Sequence, residues 1–299
     1  QLKDIPSPCL ILGDTGVGKS LIGKYIYEKS QRYNKTFMNL NCAAIHKDLI
    51  ETELFGYAQG AFTGSRKEGK KGLLEIADGG VLLLDEISEL PYNLQAKLLQ
   101  FIQEKEFYPV GSVTPVKVNV KIVAATNRNL KTMVEMKNFR EDLYYRLNVF
   151  EVDIPPLRER KEDILAITNF FLNKYNTAYE KERKLSEEVI QIFLNYSWKG
   201  NIRELSNIVE RLVVTVPDFM IMPWHLPKHL YELENNSKSN QEYLADAISA
   251  VEKEMISKAY QELKSTRKVA KKLGISQSTA SRLIRKYIIE TDFEDSSQF

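Results

Sequence analysis

The sequence predicts a doubly wound α/β domain with a parallel sheet, followed by an all-helical subdomain and a small third domain of helices. From residue 8 to about 155, short β-like runs alternate with helical runs, which is typical of α/β domains. The β-like runs are continuously apolar, as expected for a parallel sheet covered on both faces. With 299 residues, 43% hydrophobic and 27% charged, the chain has room for two or three globular domains.

Five runs are predicted to be the buried strands of this sheet. They are PCLIL (8–12), TFMNLN (36–41), VLLLD (81–85), KIVAAT (121–126) and VFEVDI (149–154). Helices are expected between them, including one over 19–32 and one over 91–104 that opens with Pro91 in its first turn. Pro155 and Pro156 end the last strand, and 157–230 shows only helical spacing.

The expected domain boundaries divide the chain into five segments. They are an α/β subdomain (1–156), a helical lid-like subdomain (157–232), a polar linker (233–241), a helical domain (242–288) and a disordered tail (289–299). An apolar stripe predicts the first helix of the last domain. It consists of Leu244, Ile248, Val251, Met255, Ala259 and Leu263.

Cysteine usage and hydropathy indicate the compartment. Cys9 and Cys42 form neither a disulfide framework nor a CxxC pair, so we expect a reducing cytosol. No run approaches the roughly 18 apolar residues of a membrane span, and the first residues do not resemble a signal peptide. Because the chain starts with Gln1 and reaches its first strand almost at once, we expect a further segment upstream.

Positive charge is concentrated near the end of the chain. The net charge is only +2, but the run from Lys264 to Lys286 carries many basic residues and no acidic one. Such a local excess is an electrostatic footprint for phosphate, and a solvated helix face is the alternative interpretation.

A phosphate-binding loop is predicted between the first strand and the first helix. Its residues are Gly13, Asp14, Thr15, Gly16, Val17, Gly18, Lys19 and Ser20, which match the pattern G-x-x-x-x-G-K-[ST]. Glycines allow backbone N–H groups to close around phosphate oxygens at the positive end of the following helix. Lys19 is expected to reach the β- and γ-phosphates, and the Ser20 hydroxyl to bind Mg²⁺. The alternative is a chance match.

Two acids at the end of the third strand complete this site. Asp85 is placed to hold Mg²⁺ directly or through water, and Glu86 to polarise the attacking water as a general base. The alternative is a strand that simply ends in two solvated acids.

Several blocks resemble one family. ELFGYAQGAFTGS (53–65) is similar to the ELFG…GAFTGA signature of sigma-54-dependent activators, the bacterial enhancer-binding proteins of the AAA+ class. Further similar blocks, in family order, are NC (41–42), ATN (125–127), FREDLYYRL (139–147), PPLRER (155–160) and GNIREL (200–205). Together they cover roughly residues 8–215. The resemblance implies an AAA+ parallel sheet with a helical lid. It also implies that the protein binds ATP and Mg²⁺ and forms homo-oligomers, from a dimer to a hexameric ring, in the bacterial cytoplasm.

The resemblance also implies roles for single residues near the nucleotide. Asn127 resembles the first sensor of the γ-phosphate, and Asn41 the residue that pairs with Glu86 and switches it. Arg203 resembles the second sensor, on the lid. Arg140 and Arg146 resemble arginine fingers that reach a neighbouring subunit's site, where a cation can contribute ~10³–10⁵ in rate. For these two arginines, surface ion pairs with Glu141 and Asp142 are the alternative.

The loop at 60–65 distinguishes this family from other AAA+ motors. Its residues are Gly60, Ala61, Phe62, Thr63, Gly64 and Ser65. In the family this loop engages sigma-54, whereas a tight turn with Phe62 packed inward is the alternative. The chain departs from the family pattern at three positions, with Ser65 for Ala, Ser20 where many members have Glu, and Lys199 for Pro.

The last domain has the spacing of a helix-turn-helix, with Ala270 inside the first helix, Gly274 at the turn and Ser276 as N-cap of the second. The expected core residues are Ala280, Leu283 and Ile284. The side chains expected to face the major groove are Gln277, Ser278, Ser281 and Arg282. The side chains expected to contact DNA phosphates are Lys271, Lys272, Arg285 and Lys286. This segment resembles the C-terminal domains of the TyrR type of activator, and a three-helix packing module without a DNA role is the alternative.

The resemblance implies an ATPase that binds upstream double-stranded DNA and remodels the sigma-54 RNA polymerase holoenzyme. Two alternatives from other classes remain. One is a DNA-binding regulator whose nucleotide site only senses a ligand or sets the oligomeric state. The other is a helicase loader or a chaperone-like AAA+ protein.

Overall fold

The structure of the chain is a computed structural model that describes residues 7–61, 68–230, 252 and 255–286. The chain divides into two compact units, Gln1–His225 and Leu226–Phe299. The predicted linker and tail, and the stripe positions Leu244, Ile248 and Val251, lie outside the described residues.

The described strands are β1 Cys9–Leu12, β2 Phe37–Asn41, β3 Gly56–Tyr57, β4 Lys70–Lys71, β5 Val81–Asp85, β6 Glu106–Phe107, β7 Val116–Lys117, β8 Lys121–Thr126, β9 Glu151–Asp153, β10 Lys184–Leu185 and β11 Met220–Ile221. The described helices are α1 Lys19–Glu28, α2 Lys47–Phe55, α3 Leu73–Ile76, α4 Tyr92–Glu104, α5 Leu130–Glu135, α6 Glu141–Leu147, α7 Lys161–Ala178, α8 Glu187–Asn195, α9 Asn201–Thr215, α10 255–263, α11 Thr266–Leu273 and α12 Gln277–Ile284. Short 3₁₀ turns include Ile87–Glu89 and Leu157–Glu159.

The predicted five-stranded sheet is confirmed. Its order is β2-β5-β8-β1-β9, and every neighbouring pair is parallel. The register places Asn41 opposite Asp85, and Leu12 opposite Thr126. Because all five strands run the same way, the segments that follow their carboxyl ends meet at one edge of the sheet.

The sheet is buried on both faces, as continuous apolar runs predict. Leu82 and Leu84 belong to the core formed with α2, α4 and α6, while Leu83 belongs to the core on the other face. There α1 packs so closely that a Cβ at Gly23 would lie 3.1 Å from both Leu83 Cδ atoms. This contact holds α1, and the phosphate loop before it, against β5.

The helix predicted over 19–32 is shorter, because α1 ends at Glu28. The Ser30 hydroxyl donates to Tyr27 O and accepts from Arg32 N–H, which replaces helical hydrogen bonds with a turn. Arg32 then donates to Gly80 O. The second predicted helix, α4, begins at Tyr92, with Pro91 as its N-cap residue.

The lid subdomain contains α7, α8 and α9, in agreement with the helical spacing predicted within 157–230. The prediction of helices only is wrong in one respect, since β10 and β11 form a parallel pair. Two-residue strands carry no periodicity that a sequence pattern could reveal.

The third group of helices, α10 to α12, encloses a small core of its own. Ala270, Ala280, Leu283 and Ile284 are buried there, and Gly274 ends α11 at φ +65°.

The predicted stripe on α10 is wrong at one position. Met255 is 53% exposed and Ile256 only 2%. Ile256, Ala259 and Leu263 follow helical i, i+3, i+7 spacing, whereas Met255 lies about 100° round the helix from Ile256. Among the described residues, no helix combines the length and hydrophobicity that a membrane span requires.

Candidate nucleotide site and nucleic-acid surface

The loop from Gly13 to Gly18 lies between β1 and α1, and Lys19 and Ser20 begin α1, which is the context that a phosphate loop requires. Gly16 and Gly18 have φ values of +83° and +102°, which residues that carry a side chain rarely adopt. A Cβ at Gly16 would lie 2.4 Å from Gly200 O. The backbone therefore takes a path that only glycine permits.

Lys19 is the first residue of α1 and is only 6% exposed. Its Nζ donates to Gly13 O at 3.0 Å and Asp14 O at 3.2 Å, and lies 3.8 Å from Glu86 Oε1. The ammonium group is thus held over the loop, where a phosphate could replace the carbonyl oxygens.

Ser20 and Asp85 are 65 positions apart in sequence and meet at this edge of the sheet. Ser20 Oγ donates to Asp85 Oδ2 at 2.6 Å, and Asp85 Oδ1 accepts from Glu86 N–H at 3.0 Å. A hydroxyl and a carboxylate are oxygen ligands of the kind that Mg²⁺ prefers.

Glu86 follows β5 in the left-handed conformation, at φ 51° and ψ 51°. Its Oε2 accepts from Asn127 N–H at 3.3 Å, and Asn127 Nδ2 donates to Thr15 Oγ1 at 2.8 Å. Asn127 therefore connects the proposed base to the phosphate loop, where a sensor of the γ-phosphate is expected.

A cleft of about 290 Å³ brings together several expected site residues from both subdomains. Its walls include Lys19, Ser20, Asp85 and Glu86 from the α/β subdomain and Arg203 from α9 of the lid. Phe171 of α7 and Ile202 also line the cleft, and neither residue was predicted from the sequence.

Two arginines that sequence reasoning did not assign also hold the loop. Arg158 Nη1 lies 3.2 Å from Asp14 Oδ2, and Arg160 Nη2 donates to Val17 O at 3.1 Å. Both belong to the PPLRER block, which could have indicated them as site residues.

The predicted sigma-54 loop begins next to a two-strand stem. β3 pairs with β4 in antiparallel fashion, and a Cβ at Gly111 would lie 2.8 Å from Ala61 Cβ. Among the described residues, no atom lies within 4 Å of a Cβ placed at Gly60. Phe62, Thr63, Gly64 and Ser65 lie outside the described residues.

In the helix-turn-helix, Ser276 caps α12, since its Oγ accepts from Thr279 N–H at 3.1 Å. The four side chains expected in the major groove, Gln277, Ser278, Ser281 and Arg282, are all exposed. The expected phosphate contacts are exposed as well, namely Lys271, Lys272, Arg285 and Lys286. Lys272 forms an ion pair with Glu262, so Lys271 is the better candidate of the two.

Three known families match the chain in succession. Residues 1–153 match the family described as Sigma-54 interaction domain, 158–243 the AAA+ ATPase lid domain, and 241–290 a helix-turn-helix domain. The chain belongs to the sigma-54-dependent regulators. The AAA+ fold with a helical lid and a C-terminal helix-turn-helix is thereby confirmed.

Similar proteins include a protein of Geobacillus stearothermophilus named limonene hydroxylase (44% identical over 284 residues, 94% of this chain and 52% of that protein). The regulatory protein AtoC of Escherichia coli is 40% identical over 289 residues, 94% of this chain and 62% of AtoC. The crystal structure of NtrX from Brucella abortus in complex with ATP has 32% identity and a TM-score of 0.69, over 96% of this chain and 65% of that one. The chain spans about half the length of several curated relatives that it matches.

The two arginine-finger candidates of this sigma-54-dependent regulator lie on or next to α6. Arg140 donates to both carboxylate oxygens of Asp142, at 3.0 and 2.7 Å. This pairing raises the pKa of Arg140 and lowers that of Asp142. Arg146 is exposed, and its charge adds to the burial that lowers the pKa of Lys105. The chain by itself therefore forms the ion pair that was the alternative to a finger at Arg140.

Asn41 does not adopt the expected pairing with Glu86 in this conformation. Its Oδ1 accepts from Ala43 N–H at 2.9 Å, which closes a turn after β2. The register still places Asn41 beside Asp85, so a change of side-chain rotamer is what the expected switch requires.

Proposed function

We propose that this chain is an ATP-driven activator that binds upstream DNA and remodels the sigma-54 RNA polymerase holoenzyme in the bacterial cytoplasm. ATP would be hydrolysed to ADP and phosphate in the cleft between the two subdomains. The 60–65 loop would pass the resulting movement to sigma-54.

The observation that carries this proposal is the hydrogen bond between Ser20 and Asp85, with Lys19 and Glu86 beside it in one cleft. These two oxygen groups fit Mg²⁺, which usually takes few protein ligands and completes its shell with phosphates and water. Bound there, Mg²⁺ would neutralise phosphate charge. Lys19 would exchange its two carbonyl partners for β- and γ-phosphate oxygens.

Glu86 is the candidate for general base. Its carboxylate lines the cleft and accepts from Asn127 N–H, and it can accept a proton from an attacking water. Asn127 would exchange its contact with Thr15 for the γ-phosphate. Arg203 would approach the same phosphate from the lid. NtrX, which crystallises with ATP and with ADP, supports a nucleotide as the ligand.

We further propose that hydrolysis requires a ring, in which Arg140 and Arg146 reach the site of the next subunit. The Arg140–Asp142 pair is exposed, so solvent screens it and little stabilisation is lost when Arg140 leaves. Asp142 would hold the finger in the free chain.

Retention on sigma-54 tests the proposal. The full chain is applied to immobilised sigma-54 with no nucleotide, with ADP, and with ADP plus aluminium fluoride, which mimics the transition state. We expect at least tenfold more retention with the mimic. Glu86→Gln should keep nucleotide binding but lose roughly 10²–10⁴ in hydrolysis rate. A chain that binds ATP but is never retained would instead be a regulator that only senses the nucleotide.

A further inference from the structure

Asn201, the first residue of α9, is completely buried and makes two side-chain hydrogen bonds to distant backbone atoms. Its Oδ1 accepts from Leu157 N–H at 2.8 Å, and its Nδ2 donates to Thr15 O at 3.0 Å. Thr15 lies in the phosphate loop. Pro155 and Pro156 have no N–H, so Leu157 provides the first amide of the lid. One side chain thus joins the loop to the start of the lid.

The turn that presents Asn201 is tightly fixed. Trp198 is fully buried, its Nε1 donates to Phe193 O at 2.7 Å, and Asn201 N–H donates to Trp198 O at 2.8 Å. Asn201 itself has φ +53°, a value that Asn tolerates better than most residues. Gly200 N–H donates to Glu204 Oε2 at 2.8 Å.

This turn packs directly against the phosphate loop. A Cβ at Gly16 would lie 2.4 Å from Gly200 O and 3.2 Å from Arg203 Cβ. Arg203 follows Asn201 by two residues on α9, so the orientation of Asn201 determines how close Arg203 comes to the loop.

Thr15 also receives the Asn127 contact through its hydroxyl. The Thr15 carbonyl therefore accepts from the Asn201 side-chain amide, and the Thr15 hydroxyl accepts from Asn127, the proposed phosphate sensor. A continuous chain of hydrogen bonds runs from Glu86 through Asn127, Thr15 and Asn201 to Leu157.

We propose that Asn201 is a positioning residue that ties the lid, and with it Arg203, to the phosphate loop, so that nucleotide binding sets the lid position. It does this without touching the nucleotide. The inference rests on the proposed ATP binding but not on hydrolysis or on sigma-54.

Two substitutions separate the two hydrogen bonds of Asn201. Asn201→Asp keeps an acceptor for Leu157 N–H but opposes Thr15 O with an oxygen instead of a donor. Asn201→Gly permits the positive φ and removes both bonds. Tyr196→Phe is the matched control, since it removes the Tyr196 hydroxyl bond to Glu204 within the same turn and leaves both side-chain bonds of Asn201 in place.

The first measurement is the dissociation constant of a fluorescent ATP analogue with Mg²⁺ on the full chain. We expect about a tenfold rise for Asn201→Asp and Asn201→Gly, the effect of one lost buried hydrogen bond, and less than twofold for Tyr196→Phe.

The second measurement is hydrogen exchange in the peptide 155–158, whose two prolines leave few amides besides Leu157. Nucleotide should slow this exchange in the unmodified chain and in Tyr196→Phe but not in Asn201→Asp. Asn201→Gly should exchange at least tenfold faster even without nucleotide.

Unchanged affinity in a folded Asn201→Asp, or an equal loss in Tyr196→Phe, would overturn the inference and leave the proposed function intact. An unmodified chain that binds no nucleotide would overturn both.

Discussion

Ser20 and Asp85 share a hydrogen bond of 2.6 Å, and this pair is where we propose that Mg²⁺ binds. We expect Ser20→Ala to weaken binding of Mg²⁺-ATP roughly tenfold, because it removes one oxygen ligand. Binding of ATP in excess EDTA should change little. Titration of a fluorescent ATP analogue with and without Mg²⁺ measures both constants.

Ser20→Thr is the matched control, since it keeps the hydroxyl and matches the same loop pattern. It should bind Mg²⁺-ATP within about threefold of the unmodified chain. If Ser20→Ala and Ser20→Thr lose affinity equally, the hydroxyl is not a ligand.

Cys42 makes the stability of the fold depend on pH in a predictable way. Burial raises the pKa of its thiol to about 12, and the charges of Asp85, Glu86 and Glu89 add to the shift. A thiol whose pKa is raised on folding stabilises the fold fully below its ordinary value of 9.0, and this contribution is lost as the pH rises towards 12.

The melting temperature should therefore fall between pH 9 and pH 12, and less steeply in Cys42→Ala. Native Cys42 should also react with Ellman's reagent at pH 8 at least ~100-fold more slowly than the denatured chain, because the thiolate is the nucleophile. Fast labelling of the native chain would contradict the raised pKa.

At the scale of single residues, the motif predicted which groups meet but not how they are paired. Lys19, Ser20 and Asp85 were predictable because loop and strand spacing confine them to one edge of the sheet. The PPLRER block could have indicated Arg158 and Arg160, but not their partners Asp14 and Val17, which lie more than 140 positions away in the sequence.

At the scale of elements, long apolar patterns predicted all five central strands. What failed were ends and short pieces. α1 stops at Glu28 because of a local Ser30 bond, and β10 with β11 has only two residues per strand. Such features depend on single contacts rather than on a repeated pattern.

Helix α12 and the end of α11 carry a prediction about DNA. Arg282 is exposed on α12, while Lys271 is exposed at the last turn of α11. We expect Arg282→Ala to relax sequence preference at one base pair by about 1–3 kcal/mol. Lys271→Ala should weaken binding to all sequences alike and reduce the salt slope by about 1.

Lys272→Ala is the control for that pair of variants, because Lys272 already pairs with Glu262 and should affect DNA binding less than Lys271 does. Binding is measured by fluorescence anisotropy on the selected site and on its single-base variants, over a range of salt. The same profile for Arg282→Ala and Lys271→Ala on every sequence would refute the assignment of faces.

At the scale of the whole molecule, the proposed arginine fingers would come from a neighbouring subunit. They can therefore be tested only in assemblies of two or more chains. Glu86→Gln and Arg140→Ala should each be nearly inactive alone. Mixed in equal amounts, they should recover up to roughly a quarter of the activity, because that share of interfaces pairs an intact Glu86 with an intact Arg140. Steady-state ATP hydrolysis of the mixture measures this.

Mixing Glu86→Gln with Glu86→Gln,Arg140→Ala is the control, since no interface then has an intact base. Absence of recovery in the first mixture, in oligomers shown to exchange subunits, would argue against a finger that acts in trans.

The proposed action on sigma-54 depends on the 60–65 loop, because the other motifs also occur in motors that never contact a polymerase. The antiparallel β3–β4 stem and the Ala61–Gly111 contact hold its base. Thr63 belongs neither to the phosphate loop nor to the helix-turn-helix in the sequence, so it should not help to bind nucleotide or DNA. We expect Thr63→Ala to hydrolyse ATP within about threefold of the unmodified chain and to bind DNA unchanged, yet to lose retention on sigma-54 and promoter opening.

Ser65→Ala, which restores the usual family residue, is the matched control and should be neutral or slightly improve coupling. ATP hydrolysis, retention on sigma-54 and permanganate footprinting at a sigma-54 promoter are measured on the same preparations. The loop assignment is wrong if Thr63→Ala still opens the promoter. If Thr63→Ala and Ser65→Ala lose hydrolysis together with opening, the loop supports the motor rather than contacting sigma-54.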